Sequence, residues 1–350
     1  MNMLIVGSWR WHQYEDAFAT GLIRNGVVVT RFDTTRFFLG NFGRVQLTLP
    51  LPSHALFNLN RELLKVATEK QFKHILFWRP THVLPSTLKK LNKLGIQLIS
   101  YNNDDPFGPS AHGNVPWHHH LLWFWYQRCL PHFDKNFFYR RVNCGEALAL
   151  GAKNAEVLMS YFVPQRDRPV ELTEADQKRY ASDVVFVGHY EPDGRKYMIH
   201  ALMDAGVQVR IWGGSYWSRE VLGSLYDRLH PIVPAEGENY AKALAGAKIC
   251  LAFLSKINRD SYTRRCFEIP ACGRVMLAER TSELLRMFKE DQEACFFSTV
   301  EELVNKVRWL LDNPKIREKI AQAGMRRVWA DGHDVESRTR QFLSMISSPV

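Results

Sequence analysis

The chain has 350 residues, 46% of them hydrophobic and 23% charged, which excludes gross disorder and supplies enough apolar side chain for two domain cores. Its formal net charge of +10 attracts phosphates, nucleic acid or anionic lipid headgroups without choosing among them. No run of about 18 apolar residues occurs, so no membrane-spanning helix is predicted.

The opening MNMLIVGSWRWHQ has no charged segment followed by a long apolar one. It reads as a first buried strand (residues 3–6) rather than a signal peptide. Gly7 follows, then a helix near 13–24. Strand-length apolar runs then alternate with amphipathic stretches: VVVTRF (27–32), a helix over 59–70, HILFW (74–78), a helix over 84–95 ending in glycine, and IQLISY (96–101). KNFFYR (135–140), a helix over 143–150 and AEVLMSY (155–161) complete this half. Short apolar strands separated by helices point to parallel βαβ units.

Residues 164–182, PQRDRPVELTEADQKRYAS, are polar, carry two prolines and contain no strand pattern. They read as an interdomain linker, with TEADQKRYA as a short helix capped by Thr173. The alternation then restarts with a strand over 183–190, a helix over 194–206, a strand over 207–213, a helix over 238–247 and the buried strand KICLAFL (248–254). Strands over 274–279 and 294–298 follow, then helices over 301–312, 314–330 and 334–347. The pattern predicts two doubly wound α/β domains with a helical tail. The six cysteines form no C-x-x-C pair and no zinc spacing, which reads as free thiols in a reducing compartment.

In such sheets ligands bind outside the carboxyl ends of the strands, so the loops there hold the candidates. GSWRWHQ (7–13) is a βα turn in which Gly7 permits close approach and a helix N-terminus faces outward; no G-x-G-x-x-G is present. SYNNDDPFGPS (100–110) places Asp104 and Asp105 before a proline, either as turn residues or as carboxylates able to orient or deprotonate a hydroxyl. In WHHHLLWFWYQR (117–128) three consecutive imidazoles diverge around a helix, so no metal site is expected. The run reads as a core helix, with a membrane-surface segment as the alternative because basic residues flank it.

In the second half, VGHYEPDGRK (187–196) follows a strand with Gly188 and opens a helix with Arg195 and Lys196, a combination suited to a diphosphate or to a solvated basic turn. WGGSYW (212–217) puts Trp212 and Gly213 at another strand end, where aromatics either stack on a base or pack the loop. TRRCFEIPACG (263–273) is the most pointed stretch. Arg264 and Glu268 are four apart and share a helix face, as a surface ion pair or as a phosphate fork beside a hydroxyl acceptor.

That last pattern, with the strand and the helix EELVNKVRWLL after it, resembles the retaining glycosyltransferases of the GT-B fold. It is most similar to the spore-protein CgeB-like branch related to glycosyltransferase family 4. VVFVGHYEPDGRK and IWGGSYW resemble the opening of that family's second domain, and NNDDPFG a first-domain motif of the CgeB-like branch. The resemblance implies two Rossmann-like parallel-sheet domains facing a cleft: an acceptor-side domain over 1–165, a nucleotide-sugar domain over 183–332, and a C-terminal helix over 333–350 crossing back to the first.

It implies transfer of a sugar from a nucleotide sugar to an acceptor hydroxyl, retaining and metal-independent, with no cofactor. Glu268 falls on the ribose-binding second acid of an E-x7-E pair, and Asp260 occupies the first position. Asp104, Asp105, Arg195 and Lys196 form the expected catalytic set. Gly7, Gly188, Trp212, Gly213, Tyr262, Arg264, Arg265 and Glu268 form the expected donor-binding set. The acceptor would be a glycan, a lipid-linked molecule or a protein, in polysaccharide or glycoconjugate synthesis. The protein would reside in the cytoplasm, with peripheral contact to the inner face of the membrane. The alternatives are a catalytically silent GT-B scaffold and a nucleic-acid binder; the basic residues are spread along the chain rather than gathered into a stripe, which speaks against the second.

Overall fold

The computed structural model describes residues 1–108 and 117–347, and the chain divides into two compact units, Met1–Ser160 with Val335–Val350 and Tyr161–Asp334. Each is a doubly wound parallel sheet flanked by helices, the expected fold class.

The first unit holds six strands: β1 (Asn2–Gly7), β2 (Val28–Asp33), β3 (His74–Trp78), β4 (Gln97–Asn102), β5 (Lys135–Phe138) and β6 (Glu156–Val157). They lie in the order β2-β1-β3-β4-β5-β6, all parallel, with Ile5 opposite Leu76 and Leu76 opposite Ile99. Met3, Leu4, Ile5 and Val6 are all buried, so the unbroken apolar run of β1 is explained by helices on both faces. The strand expected over 155–161 shrinks to two residues, because only Glu156 and Val157 pair with β5.

The second unit holds β7 (Ser182–Val187), β8 (Val209–Trp212), β9 (Ala247–Ala252), β10 (Met276–Glu279) and β11 (Cys295–Phe297), in the order β11-β10-β9-β7-β8. The helix Val335–Ser347 belongs to the first unit. Its Thr339 Oγ1 and the Glu336 carbonyl accept hydrogen bonds from Asn25 Nδ2, both at 3.0 Å.

Residues 164–182 are not a free linker. The second unit begins at Tyr161, Asp167 is fully buried in it, and Tyr180 packs in its core. Thr173 does cap the helix Glu174–Tyr180, in a reciprocal arrangement with Asp176. All six cysteines are free thiols. Among the described residues no helix is long and apolar enough to cross a membrane, and no group of three His, Cys, Asp or Glu is placed to hold a metal.

Candidate active site

Strand order reverses at β7 in the second sheet: β8 continues on one side and β9 lies on the other. The loops leaving β7 and β9 therefore flank the switch point where doubly wound sheets bind ligands. Here Ser255, just beyond β9, donates to Glu191 beyond β7 at 2.6 Å, and His189 meets the other oxygen of Glu191 at 3.0 Å. Burial pushes the Glu191 carboxyl up, but hydrogen bonds from His189 and Ser255 and the charge of Arg195 outweigh it and leave it at about 2.

The glycines at this edge are fixed by close approach. A Cβ on Gly213 would lie 2.5 Å from the Gly188 carbonyl oxygen and 2.5 Å from the Trp217 ring. A Cβ on Gly188 would collide with the guanidinium of Arg265. That guanidinium reaches the edge because Arg265 Nε donates to the Val187 carbonyl at 2.6 Å. Arg265 is half-buried and forms no ion pair with a carboxylate among the described residues. Lys196, half-buried in the first turn of the helix Arg195–Asp204, likewise has no carboxylate partner among them. Arg265 at the end of β7 and Lys196 in the first turn of the helix that follows thus stand as cations without a carboxylate partner among the described residues, beside a helix N-terminus whose Arg195 amide donates to Asp193 at 3.2 Å.

Arg195 is different. Its side chain is buried, paired with Asp193 and donating to the His189 carbonyl at 2.7 Å, so it shapes the loop from within. The aromatic expectation also changes. Trp212 is 2% exposed and lies against Tyr180, with ring centroids 4.9 Å apart, so its face is unavailable for a base. Trp217 donates to the Gly188 carbonyl at 2.7 Å and is buried too. The exposed aromatic of WGGSYW is Tyr216, 68% exposed with its ring 6.2 Å from His189. Tyr262 is wholly buried and packs edge-on to Phe267.

Arg264 and Arg265 point to different tasks. Arg264, Arg166 and Tyr240 surround the Glu268 carboxylate: both arginines donate to Oε1, and the Tyr240 hydroxyl donates to Oε2 at 2.6 Å. Glu268 is 4% exposed. Burial raises its carboxyl, and Arg166 and Arg264 more than reverse this, bringing it to about 2. Asp167 completes the group, accepting from Arg166 Nε at 2.6 Å and from the Val163 amide at 2.7 Å. Burial, and after it the charge of Glu268, hold the Asp167 carboxyl above its ordinary value. Glu268 is therefore not a surface pair: it is the centre of a buried ionic cluster on the helix Arg265–Ala271. Arg166, Asp167 and Tyr240 were missed, the first two because they sit in a polar, proline-flanked stretch. Asp260, just ahead of this helix, is half-buried, and its amide donates to the Ser255 carbonyl at 2.9 Å.

In the first unit the switch point lies between β1 and β3. The turn after β1 closes on a carboxylate of its own: Glu15 accepts from the Ser8 amide at 2.8 Å and the Trp9 amide at 3.2 Å. A Cβ on Gly7 would lie 2.6 Å from Glu15 Oε1, which is why glycine stands there. Burial raises the Glu15 carboxyl. After β3, Arg79 adopts φ +47°, a left-handed conformation unusual for a side-chain-bearing residue. It pairs with Asp104 and stacks on Trp123 at 5.0 Å. Burial raises Asp104, but Arg79, with help from Arg140 and His119, leaves it below the ordinary carboxylate range. Asp104 keeps 28% side-chain exposure. Asp105 is 3% exposed and accepts from the Phe107 and Gly108 amides at 3.1 and 2.9 Å and from Asn143 at 2.8 Å, so it holds the turn.

Residues 195–344 match the family model described as glycosyl transferase-like. No curated protein matches. Among solved structures, the chain is similar to sucrose-phosphate synthase from Thermosynechococcus elongatus, at 13% identity and TM-score 0.68 over 99% of this chain and 98% of that one. Anabaena HepE in complex with UDP-glucose aligns at 13% identity and TM-score 0.67 over 100% of both chains. α,α-Trehalose 6-phosphate synthase from Burkholderia multivorans aligns at 11% identity and TM-score 0.62 over 98% and 97%. At these identities the structural matches establish the fold.

Proposed function

We propose that this chain, whose fold is that of the GT-B neighbours and whose residues 195–344 match a glycosyl transferase-like family model, is a glycosyltransferase that moves a glycosyl unit from a nucleotide sugar held at the carboxyl edge of the second sheet to an acceptor hydroxyl. The observation that carries this is the pair Lys196 and Arg265 at β7, cations without carboxylate partners among the described residues, lying within or beside the family-matched segment. A diphosphate placed there meets both cations and the N-terminus of the helix Arg195–Asp204. These groups stabilise the charge that grows on the leaving diphosphate as the glycosidic bond breaks. No metal is required for that task, and the reaction is retaining by the resemblance of the TRRCFE segment. Tyr216 and His189 are the exposed rings beside Gly188 and are suited to a base or ribose. The neighbour HepE was crystallised with UDP-glucose, which favours a uridine donor.

Glu268 acts by fixing the helix that aims Arg265 at Gly188, rather than by holding ribose in its present arrangement. Asp104, the more exposed of the two aspartates after β4, is the candidate to orient or deprotonate the acceptor. Asp105 positions it. The acceptor is a glycan or lipid-linked hydroxyl, used in glycan or glycoconjugate synthesis in the cytoplasm. Release of nucleoside diphosphate from a panel of UDP- and GDP-sugars, with mixed glycan and lipid acceptors, tests the reading. Acceptor-dependent release that Lys196→Ala and Arg265→Ala both abolish supports it. Nucleotide binding without any turnover across the panel would favour a silent scaffold.

A further inference from the structure

The first unit carries a helix built inside out. Gly40–Thr48 buries Gly43 and Gln46 and turns Phe42 and Val45 to solvent, 71% and 51% exposed. This orientation is fixed by packing. A Cβ on Gly43 would overlap the Phe38 carbonyl group, the Gln46 carbonyl accepts from His82 at 2.8 Å, and its side-chain oxygen accepts from Ser53 at 3.2 Å. A soluble helix ordinarily does the opposite.

The apolar surface continues on both sides. Leu39 is 78% exposed, Leu51 45%, Phe57 56% and Phe124 38%. The Trp125 indole donates to the Pro50 carbonyl at 2.7 Å and ties the helix Phe124–Cys129 to this segment. Exposed apolar groups gathered like this mark an interaction surface rather than ordinary scatter. Along the segments that carry them, bounded by Asp33, Glu62 and Asp134, the charge has one sign. The sequence has no acidic residue from 34 to 61 or from 117 to 133, while Arg36, Arg44, Arg61 and Arg128 occur there. Arg128 lies over the Phe124 ring at 3.5 Å, and Arg36 lies over Phe32 and Phe37 at 5.1 and 4.9 Å, stems on apolar surface and charges at the rim. The segments follow β2 and β4, so the surface lies on the carboxyl side of the first sheet.

We infer that the outward face of the helix Gly40–Thr48, with Leu39, Leu51, Phe57 and Phe124 and an arginine rim, is a docking surface for an anionic lipid bilayer. Large apolar side chains insert at the headgroup boundary while arginines meet lipid phosphates, the pattern of an interfacial rather than spanning protein. This does not depend on the donor chemistry proposed above.

The test is co-flotation of the full chain with vesicles of phosphatidylglycerol and phosphatidylcholine, against phosphatidylcholine alone. The expected result is binding to the anionic vesicles, weakened severalfold by high salt. Partition should fall by at least about tenfold in Phe42→Glu/Phe57→Glu and severalfold in Arg44→Gln/Arg128→Gln. Both pairs are solvent-exposed, and unchanged melting temperatures show that folding survives. No binding by the wild type overturns the proposal, as does binding that both variants retain. Self-association in analytical ultracentrifugation that Phe42→Glu dissolves, without vesicle binding, assigns the face to a second copy and overturns the lipid reading.

Discussion

Arg166 and Glu268 stand 102 residues apart in sequence and share a buried, hydrogen-bonded ion pair. Arg264 adds a second guanidinium to the same carboxylate oxygen, and Tyr240 satisfies the other. The pair joins the segment leading into the second sheet to the helix that delivers Arg265 to the carboxyl edge. Its role is therefore to hold that geometry.

Removing one partner leaves a buried charge uncompensated. Arg166→Met is expected to cost about 3–5 kcal/mol in denaturant unfolding. Glu268→Gln, which keeps volume and one acceptor, should cost less than Glu268→Ala. A loss under about 1 kcal/mol for Arg166→Met would contradict the anchoring role.

The acid limb of stability follows from the same region. Glu191 and Glu268 both titrate at about 2 in the folded protein, below the ordinary 4.5. Their stabilisation is present above about pH 4.5 and is lost as pH falls toward 2, because the unfolded chain takes up their protons first. Glu191→Gln should flatten the fall of unfolding free energy between those pH values, by on the order of 3 kcal/mol. An unchanged slope would mean that Glu191 is not held by Ser255, His189 and Arg195 as observed.

Close approach at the β7 and β8 ends makes Gly213 intolerant of a side chain. Gly213→Ala must displace the Gly188 carbonyl or the Trp217 ring. It should cost about 1–3 kcal/mol by overpacking. It should also weaken nucleotide binding, since the two glycines set the floor of that edge. Wild-type stability and binding in this variant would remove the floor from the account.

The adjacent aspartates should separate cleanly. Asp104→Asn is expected to lower turnover by about 100-fold or more with nucleotide affinity unchanged, the size of a lost general base. Asp105→Asn should act on stability, because its carboxylate bonds two backbone amides and Asn143. Steady-state kinetics paired with thermal melts distinguish the two. Equal effects of both on turnover at unchanged stability would reverse the assignment.

The strands were legible because parallel strands buried on both faces are written as continuous apolar runs, as in MLIV and KICLAFL. The Arg264–Glu268 pair was legible as helix spacing. Its burial was not, because what buries it arrives from Arg166, Asp167 and Tyr240, far away in sequence. Arg166 and Asp167 lie between Pro164 and Pro169 among polar residues, the composition of a linker. The apolar residues Tyr161, Phe162 and Val163 just before them were the available signal that this segment packs. The helix Gly40–Thr48 escaped notice because its apolar residues face outward and two glycines lower its propensity. Trp212 was misjudged because sequence marks an aromatic without saying which way it points.

A nucleotide-sugar site at the carboxyl edge of β7 is tested most directly by ligand-induced stabilisation of the full chain. Wild type, Lys196→Ala and Arg265→Ala would be melted against UDP, GDP, ADP and their glucose conjugates. A ligand at 100 times its dissociation constant adds about 2.7 kcal/mol. One nucleotide family is expected to raise the wild-type melting temperature, and each variant, melting normally alone, to lose most of the rise. A wild type stabilised by none of them, or variants stabilised as fully as the wild type, would contradict it.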